Sequence, residues 1–333
     1  MLKVGMIGAG WVTQYHLPGW RERGDARVVA ICDPDIDAAR ARAAAFGIPA
    51  VYGSADAMLE GESLDCLDIC SPRESHVADV HRGLRRNLAV LCQKPLAPTL
   101  GEAEGLVAHI GGARVMVHEN WRFRPYYRRL RSWIDEGALG NARAVRLEVH
   151  SSGMLPDASG ARPALVRQPF FRGLDRLLVM EVLIHHIDTL RFLLGELDLE
   201  SARLSRTNDE IDGEDVAILR LRRRADGVPV DISGNLAVHG APPIPADRLW
   251  IYGENGTAHL DGTDLQLVGY SSRAERFDPA ASYQAAYSGA IAHFLDCLET
   301  GAVFETSPVD NLETLRIVEA AYASSGFQAG RQS

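Results

Sequence analysis

A chain of 333 residues has room for two domains and a large core. Its 46% hydrophobic and 24% charged content fits a water-soluble globular fold, and a net charge of -9 argues against a nucleic-acid-binding surface. No apolar run reaches the ~20 residues that span a bilayer, so no membrane partner is expected.

Lys3-Val4-Gly5-Met6-Ile7 reads as a short buried strand. Gly8-Ala9-Gly10 closes it, and Trp11 to Arg23 has the apolar spacing of a helix. The beginning passes straight into this strand, which predicts no secretory signal. Strand, glycine turn and helix form the entrance to a dinucleotide-binding βαβ unit. Gly8 permits the tight turn, and Gly10 leaves no side chain where a pyrophosphate approaches. The helix start at Trp11 and Val12 presents N–H groups and a positive dipole end to phosphates. The third fingerprint position is Thr13, not glycine. Arg27 to Cys32 is a second strand ending in Asp33, about 20 residues downstream, where an acid binds ribose hydroxyls. Pro34 and Asp35 supply no positive charge for a 2′-phosphate, so NAD is expected over NADP.

Helices then alternate with strands. Asp35 to Phe46, Ser54 to Glu60, Glu74 to Arg86 and Leu100 to Ile110 read as helices. Leu64 to Cys70, Leu88 to Cys92 and Arg114 to Val117 read as strands. This alternation implies a parallel sheet whose ligands lie at the carboxyl ends of its strands. Ser71-Pro72 and Gln93-Lys94-Pro95 fall at such ends. The pattern changes after residue 118, which predicts an α/β nucleotide-binding domain over residues 1–118 and an α+β domain over residues 119–333. In the second part, Pro125 to Glu136 is a helix and Ala142 to Ser151 a long alternating strand. Residues 152–176 read as a loop, and Val179 to Leu194 as one strong helix. Strands follow at Glu200 to Arg206, Asp215 to Arg222, Val228 to Leu236, Arg248 to Tyr252, Thr257 to Asp261 and Leu265 to Val268. They imply a mostly antiparallel sheet. Helices Tyr283 to Glu299 and Pro308 to Ser324 finish the chain.

Lys94, at the carboxyl end of a strand, is placed to hydrogen-bond a substrate hydroxyl and stabilise oxyanion charge; a solvated surface lysine is the alternative. Glu181, His185 and Asp188 lie at i, i+4 and i+7, which puts them on one helix face. A histidine one turn from a carboxylate suits a general base. His186 points about 100° away. A metal site from the same three residues is disfavoured, because metal-binding helices carry two histidines on one face, and no metal is expected. Cys32, Cys66, Cys70, Cys92 and Cys297 lack metal-ligand spacing and are expected as free thiols in a reducing cytoplasm. Arg162, Arg167, Arg172 and Arg176 are read as solvated loop arginines, with an acidic or phosphorylated sugar as the alternative.

Taken in order, Gly8-Ala9-Gly10 with His16-Leu17-Pro18, Cys32-Asp33, Ser71-Pro72 with His76, Lys94-Pro95, Asn120-Trp121-Arg122-Phe123 and Glu181-x3-His185-x2-Asp188 resemble the Gfo/Idh/MocA family. This is the family of glucose–fructose oxidoreductase and inositol dehydrogenase. The resemblance covers nearly the whole chain. It implies a Rossmann domain, a second domain with an open-faced sheet that makes homodimers or homotetramers, and hydride exchange between NAD(P) and a carbinol carbon of a sugar, sugar acid or cyclitol. It implies that Lys94 and His185 are catalytic, with Glu181 or Asp188 orienting the histidine. It also implies cofactor contacts from Gly8, Ala9, Gly10, Trp11, Val12, Asp33, Ser71, Pro72, His76, Gln93, Lys94 and Asn120. Substrate contacts are implied for Lys94, Trp121, Arg122, Glu181 and His185. Gln93 departs from the family's usual glutamate, and Glu181 from its common aspartate. The resemblance also admits glycoside cleavage by transient oxidation, or a non-catalytic nucleotide sensor.

Overall fold

The computed structural model describes residues 1–329; residues 330–333, at the end of the expected second domain, lie outside the described residues. The first sheet contains β1 (Leu2–Ile7), β2 (Ala26–Cys32), β3 (Ala50–Tyr52), β4 (Cys66–Ile69), β5 (Ala89–Gln93) and β6 (Val115–His118). Their order is β3-β2-β1-β4-β5-β6, and every pair is parallel. That order reverses direction at β1/β4, which opens a ligand crevice at the carboxyl ends of the strands. The strands are near-continuous apolar runs because helices cover the sheet. Local signals set the helix starts. Asp35 accepts from the N–H groups of Asp37 and Ala38, Ser54 from Ala57, and Thr99 from Glu102. The strand β3 leaves no mark in the sequence pattern, because three residues are too short for a periodic signal.

The second sheet contains β7 (Ala142–His150), β8 (Leu197–Ser205), β9 (Val216–Arg223), β10 (Pro229–Asn235), β11 (Ala246–Gly253), β12 (Gly256–Asp261), β13 (Asp264–Gly269) and β14 (Arg273–Arg276), in the order β14-β13-β12-β11-β7-β10-β9-β8. All its pairs are antiparallel except β10 with β7. Burial alternates along the strands. In β7, Val145, Leu147 and Val149 are buried, while the intervening Arg146 is exposed. The opposite face also exposes Ile218, Tyr252 and Val268.

The chain forms two compact units, each drawn from two stretches of sequence. Met1–Arg124 groups with Tyr283–Leu315, and, among the described residues, Pro125–Ser282 groups with residues 316–329. The reason is packing: helix Pro279–Thr300 sends Ala290, Ile291 and Phe294 into the core of the first sheet. A Cβ on Gly19 would sit 2.8 Å from Ile291 Cδ1, so glycine allows the close approach of the two helices. The expected single helix Val179–Leu194 is instead a π-helical turn, Leu178–Leu183, followed by an α-helix, Ile184–Leu194. One turn is too short for its different period to show in the sequence. The loop at 152–176 contains a short helix, Pro163–Arg167, and a 3-10 turn, Pro169–Gly173. No helix among the described residues is long and apolar enough to cross a membrane.

Candidate active site

The glycine turn is built as the spacing predicts. Gly8 has φ +101°, and a Cβ there would lie 2.6 Å from the Cys70 carbonyl oxygen, so no other residue fits. A Cβ on Gly10 meets nothing within 4 Å, which leaves open space over the turn. Thr13, at the third fingerprint position, donates from Oγ1 to the Gly10 carbonyl at 2.6 Å and so stitches turn to helix. Helix Thr13–Glu22 follows, with Trp11 exposed and Val12 at its cap. The Asp33 carboxylate accepts from Ala9 N–H at 2.7 Å and from Asp35 N–H at 2.8 Å. It is therefore held at the edge of the glycine turn, only partly buried. At the end of β6, Asn120 is 3% exposed, and its Nδ2 has no partner among the described residues. A buried amide left this way fits a polar ligand group. These residues suit NAD on geometry alone.

Lys94 follows β5, and its loop is anchored from beneath. Asp68 is wholly buried and accepts from His16 Nδ1–H at 2.9 Å and Trp20 Nε1–H at 2.7 Å, with the Cys70 thiol at 3.6 Å. Gln93 Nε2 lies 2.7 Å from His16 Nε2 and 3.2 Å from His118 Nδ1, while Gln93 Oε1 accepts from Lys94 N–H at 3.2 Å. The Lys94 N–H settles the amide orientation: its oxygen must face Lys94, so its NH2 faces the two imidazoles. His16 then carries its proton on Nδ1 and accepts at Nε2. A second tie comes from His76, 1% exposed, whose ring nitrogens lie 2.7 Å from Pro95 O and 2.9 Å from Ser71 O. Burial pulls the His76 pKa down, so a neutral ring bonds one carbonyl at a time. His76 thus sits between the Ser71-Pro72 loop and the Lys94 loop, with one ring nitrogen against each. Ser71 Oγ is spent on Asp79 at 2.7 Å.

His16, Asp68 and Cys70 form one cluster with metal-ligand geometry. The carboxylate is already saturated by donors, and burial pushes the Cys70 thiol well up, so a hydrogen-bonded core describes it better. All five cysteines are buried and free. Burial raises Cys32 and Cys66 to about 12, which leaves neutral thiols rather than nucleophiles.

Arg122, expected against substrate, is 4% exposed and donates to Asp310 at 2.9 Å and to Glu305 O at 3.0 Å. Its placement makes it a strut. Trp121 is partly buried, with the Arg124 guanidinium 3.4 Å from its ring centroid.

Glu181, His185 and Asp188 belong to the second unit, whereas Lys94 belongs to the first. Glu181 is partly buried, on the π turn. His185 is 9% exposed, one residue into the α-helix. Asp188 is wholly buried, 4.0 Å from Arg191 Nη1, and Arg191 also binds Glu196 at 2.8 Å. His186 is 1% exposed. Its Nδ1 lies 3.0 Å from Val182 O and its Nε2 2.8 Å from Asp247, which also accepts from Tyr127 Oη at 2.8 Å. Sequence reasoning missed Asp68, Asp247 and Glu214: each is an isolated carboxylate whose partners are distant in the chain.

The Rossmann crevice, its glycine turn and Asp33 define a nucleotide-dependent oxidoreductase. Residues 2–121 match the oxidoreductase family with an NAD-binding Rossmann fold, and residues 127–259 match the Gfo/Idh/MocA C-terminal domain. The chain belongs to the Gfo/Idh/MocA family. It is 34% identical to a D-apiose dehydrogenase of Paraburkholderia graminis, over 97% of this chain and 87% of that one. It is 25% identical to an inositol 2-dehydrogenase of Rhizobium meliloti, over 97% and 96%. An oxidoreductase from Agrobacterium radiobacter, solved in complex with NAD+, L-tartaric acid and magnesium, superposes with a TM-score of 0.89 at 28% identity, covering 98% and 96%.

Proposed function

We propose that this protein is an NAD-dependent dehydrogenase acting on a carbinol carbon of a sugar, sugar acid or cyclitol, with D-apiose the first substrate to test. The observation that carries the reading is the Lys94 loop, pinned through Gln93 and His76 on the same strand-end edge as the glycine turn and Asp33. NAD, when bound, supplies the hydride acceptor. Gly8, Ala9, Gly10 and the N–H groups at Trp11 and Val12 would hold its pyrophosphate, Asp33 its adenosine ribose, and Asn120 Nδ2 would donate to one of its polar groups. Lys94 Nζ donates to the carbinol oxygen and stabilises charge developing there. His185 takes the hydroxyl proton, and Glu181 orients the ring. Asp188, buried beside Arg191, is the other carboxylate that could orient it.

The exposed sheet face with Ile218, Tyr252 and Val268 supports assembly into a homo-oligomer, and five free thiols support a reducing cytoplasm. The test is NADH absorbance with D-apiose, myo-inositol and L-tartrate. Net NADH formation supports the dehydrogenase. Nucleotide binding without turnover on a wide panel of polyols refutes it in favour of a sensor. Aglycone release from a glycoside without net NADH refutes it in favour of glycoside cleavage.

A further inference from the structure

Glu214 lies in the turn before β9 and is wholly buried. One carboxylate oxygen accepts from Val179 N–H at 2.8 Å and from Tyr322 Oη at 2.6 Å. The other accepts from Leu177 N–H at 3.2 Å, and the Glu214 carbonyl accepts from Leu178 N–H at 3.1 Å. Three consecutive N–H groups at the start of the π turn are thus capped by one residue from a distant segment. A helix start has no partners of its own for such groups. The turn presses close: a Cβ on Gly213 would lie 2.6 Å from Leu174 O and 3.0 Å from Leu177 N. From the other side, Leu178 and Leu183 pack onto β10 where Gly234 leaves room; a Cβ there would lie 3.1 and 3.0 Å from their methyl groups. Tyr322, on helix Pro308–Ser325, is itself held by the Arg176 guanidinium 4.7 Å from its ring centroid, and Arg176 pairs with Glu319.

We infer that Glu214 is a positioning residue, fixing the register of the segment that carries Glu181 and His185, and that Tyr322 in turn holds Glu214. The inference rests on the reading of His185 as the base. Glu181 sits in the π turn itself, and its N–H makes an early bond of the segment, 2.8 Å to Leu177 O. A slip at Leu177–Val179 therefore moves Glu181 and His185 together. Burial pushes the Glu214 carboxyl pKa up, partly offset by Tyr322 and the backbone N–H groups that donate to it.

The test compares Tyr322→Phe, Glu214→Ala, Glu214→Gln and His185→Ala in the full chain, with D-apiose and NAD as probes. Displacement of a reacting group by about 1 Å costs up to about 100-fold in rate. Glu214→Ala should approach that loss, Tyr322→Phe should lose about tenfold, and Glu214→Gln, which keeps an acceptor oxygen, should recover about tenfold over Glu214→Ala. The losses should fall on kcat, with NAD affinity unchanged and rates read well below each variant's Tm. A purely structural role would lower Tm and leave kcat alone. If Glu214→Ala fails to fold, Tyr322→Phe, which keeps the buried ring, decides. Clamp variants at native kcat beside a slow His185→Ala would overturn the inference and leave the proposed function standing. A His185→Ala enzyme at native rate, or native enzyme that oxidises no polyol, would overturn the function reading and this inference with it.

Discussion

Gln93→Glu should weaken the anchor beneath Lys94, and more at high pH than at low pH. In the native chain the Gln93 NH2 donates toward His16 Nε2 at 2.7 Å and His118 Nδ1 at 3.2 Å. A carboxylate has no proton to give. With His16 protonated only on Nδ1, its Nε2 lone pair would face a carboxylate oxygen at about that separation, and Asp68 would stand behind the same ring. A buried charge left without a partner costs about 3–5 kcal/mol. Residue 93 is only partly buried and Lys94 is next in the chain, which offsets part of this, so at most about 3 kcal/mol is expected at pH 9. At pH 5 the imidazole takes a second proton and donates to both carboxylates, and the penalty should fall below about 1 kcal/mol. A histidine that gains an anionic partner contributes stability below its unfolded pKa of about 6.5 and loses it as pH rises. The other polar groups facing the ring, Cys70, His118 and Tyr287, are the same in both proteins. Urea unfolding of variant and native enzyme at both pH values, read by tryptophan fluorescence, isolates the change. A variant-minus-native difference equal at pH 5 and pH 9 would refute the assigned hydrogen-bond directions.

Lys94→Ala should lower kcat about 100-fold while leaving NAD affinity nearly intact, as for loss of one oxyanion donor; steady-state kinetics with calorimetry of NAD checks both. His185→Ala should cost at least about 100-fold in kcat with little change in Tm. His186→Ala should do the reverse, losing about 3 kcal/mol because the buried Asp247 keeps Tyr127 but loses its histidine partner. An exchange of these two behaviours would place the base on His186. The Asp33 carboxylate should repel a 2′-phosphate, so NAD should bind more than about tenfold tighter than NADP, a difference of only about 1.4 kcal/mol. Equal affinities by calorimetry would falsify the cofactor assignment.

The alternating helices and strands of the first domain are legible in the sequence because their periods, 2 and 3.6, are local properties. So is Gly8, whose φ only glycine tolerates. Asp33 and Lys94 are found by their position at strand ends. The tertiary structure alone decided which polar side chains are spent inside the fold. Arg122 reaches Asp310 across 188 positions, His16 reaches Asp68 across 52, and Tyr322 reaches Glu214 across 108. No local pattern encodes such pairs, and burial makes them obligatory, since an unpaired buried charge is costly. The same holds for helix Pro279–Thr300, whose weakly amphipathic sequence does not say which sheet it covers. The π turn under Glu181 and His185 is also tertiary in origin: its first N–H groups are satisfied by Glu214, more than thirty residues away, rather than by any neighbour in sequence.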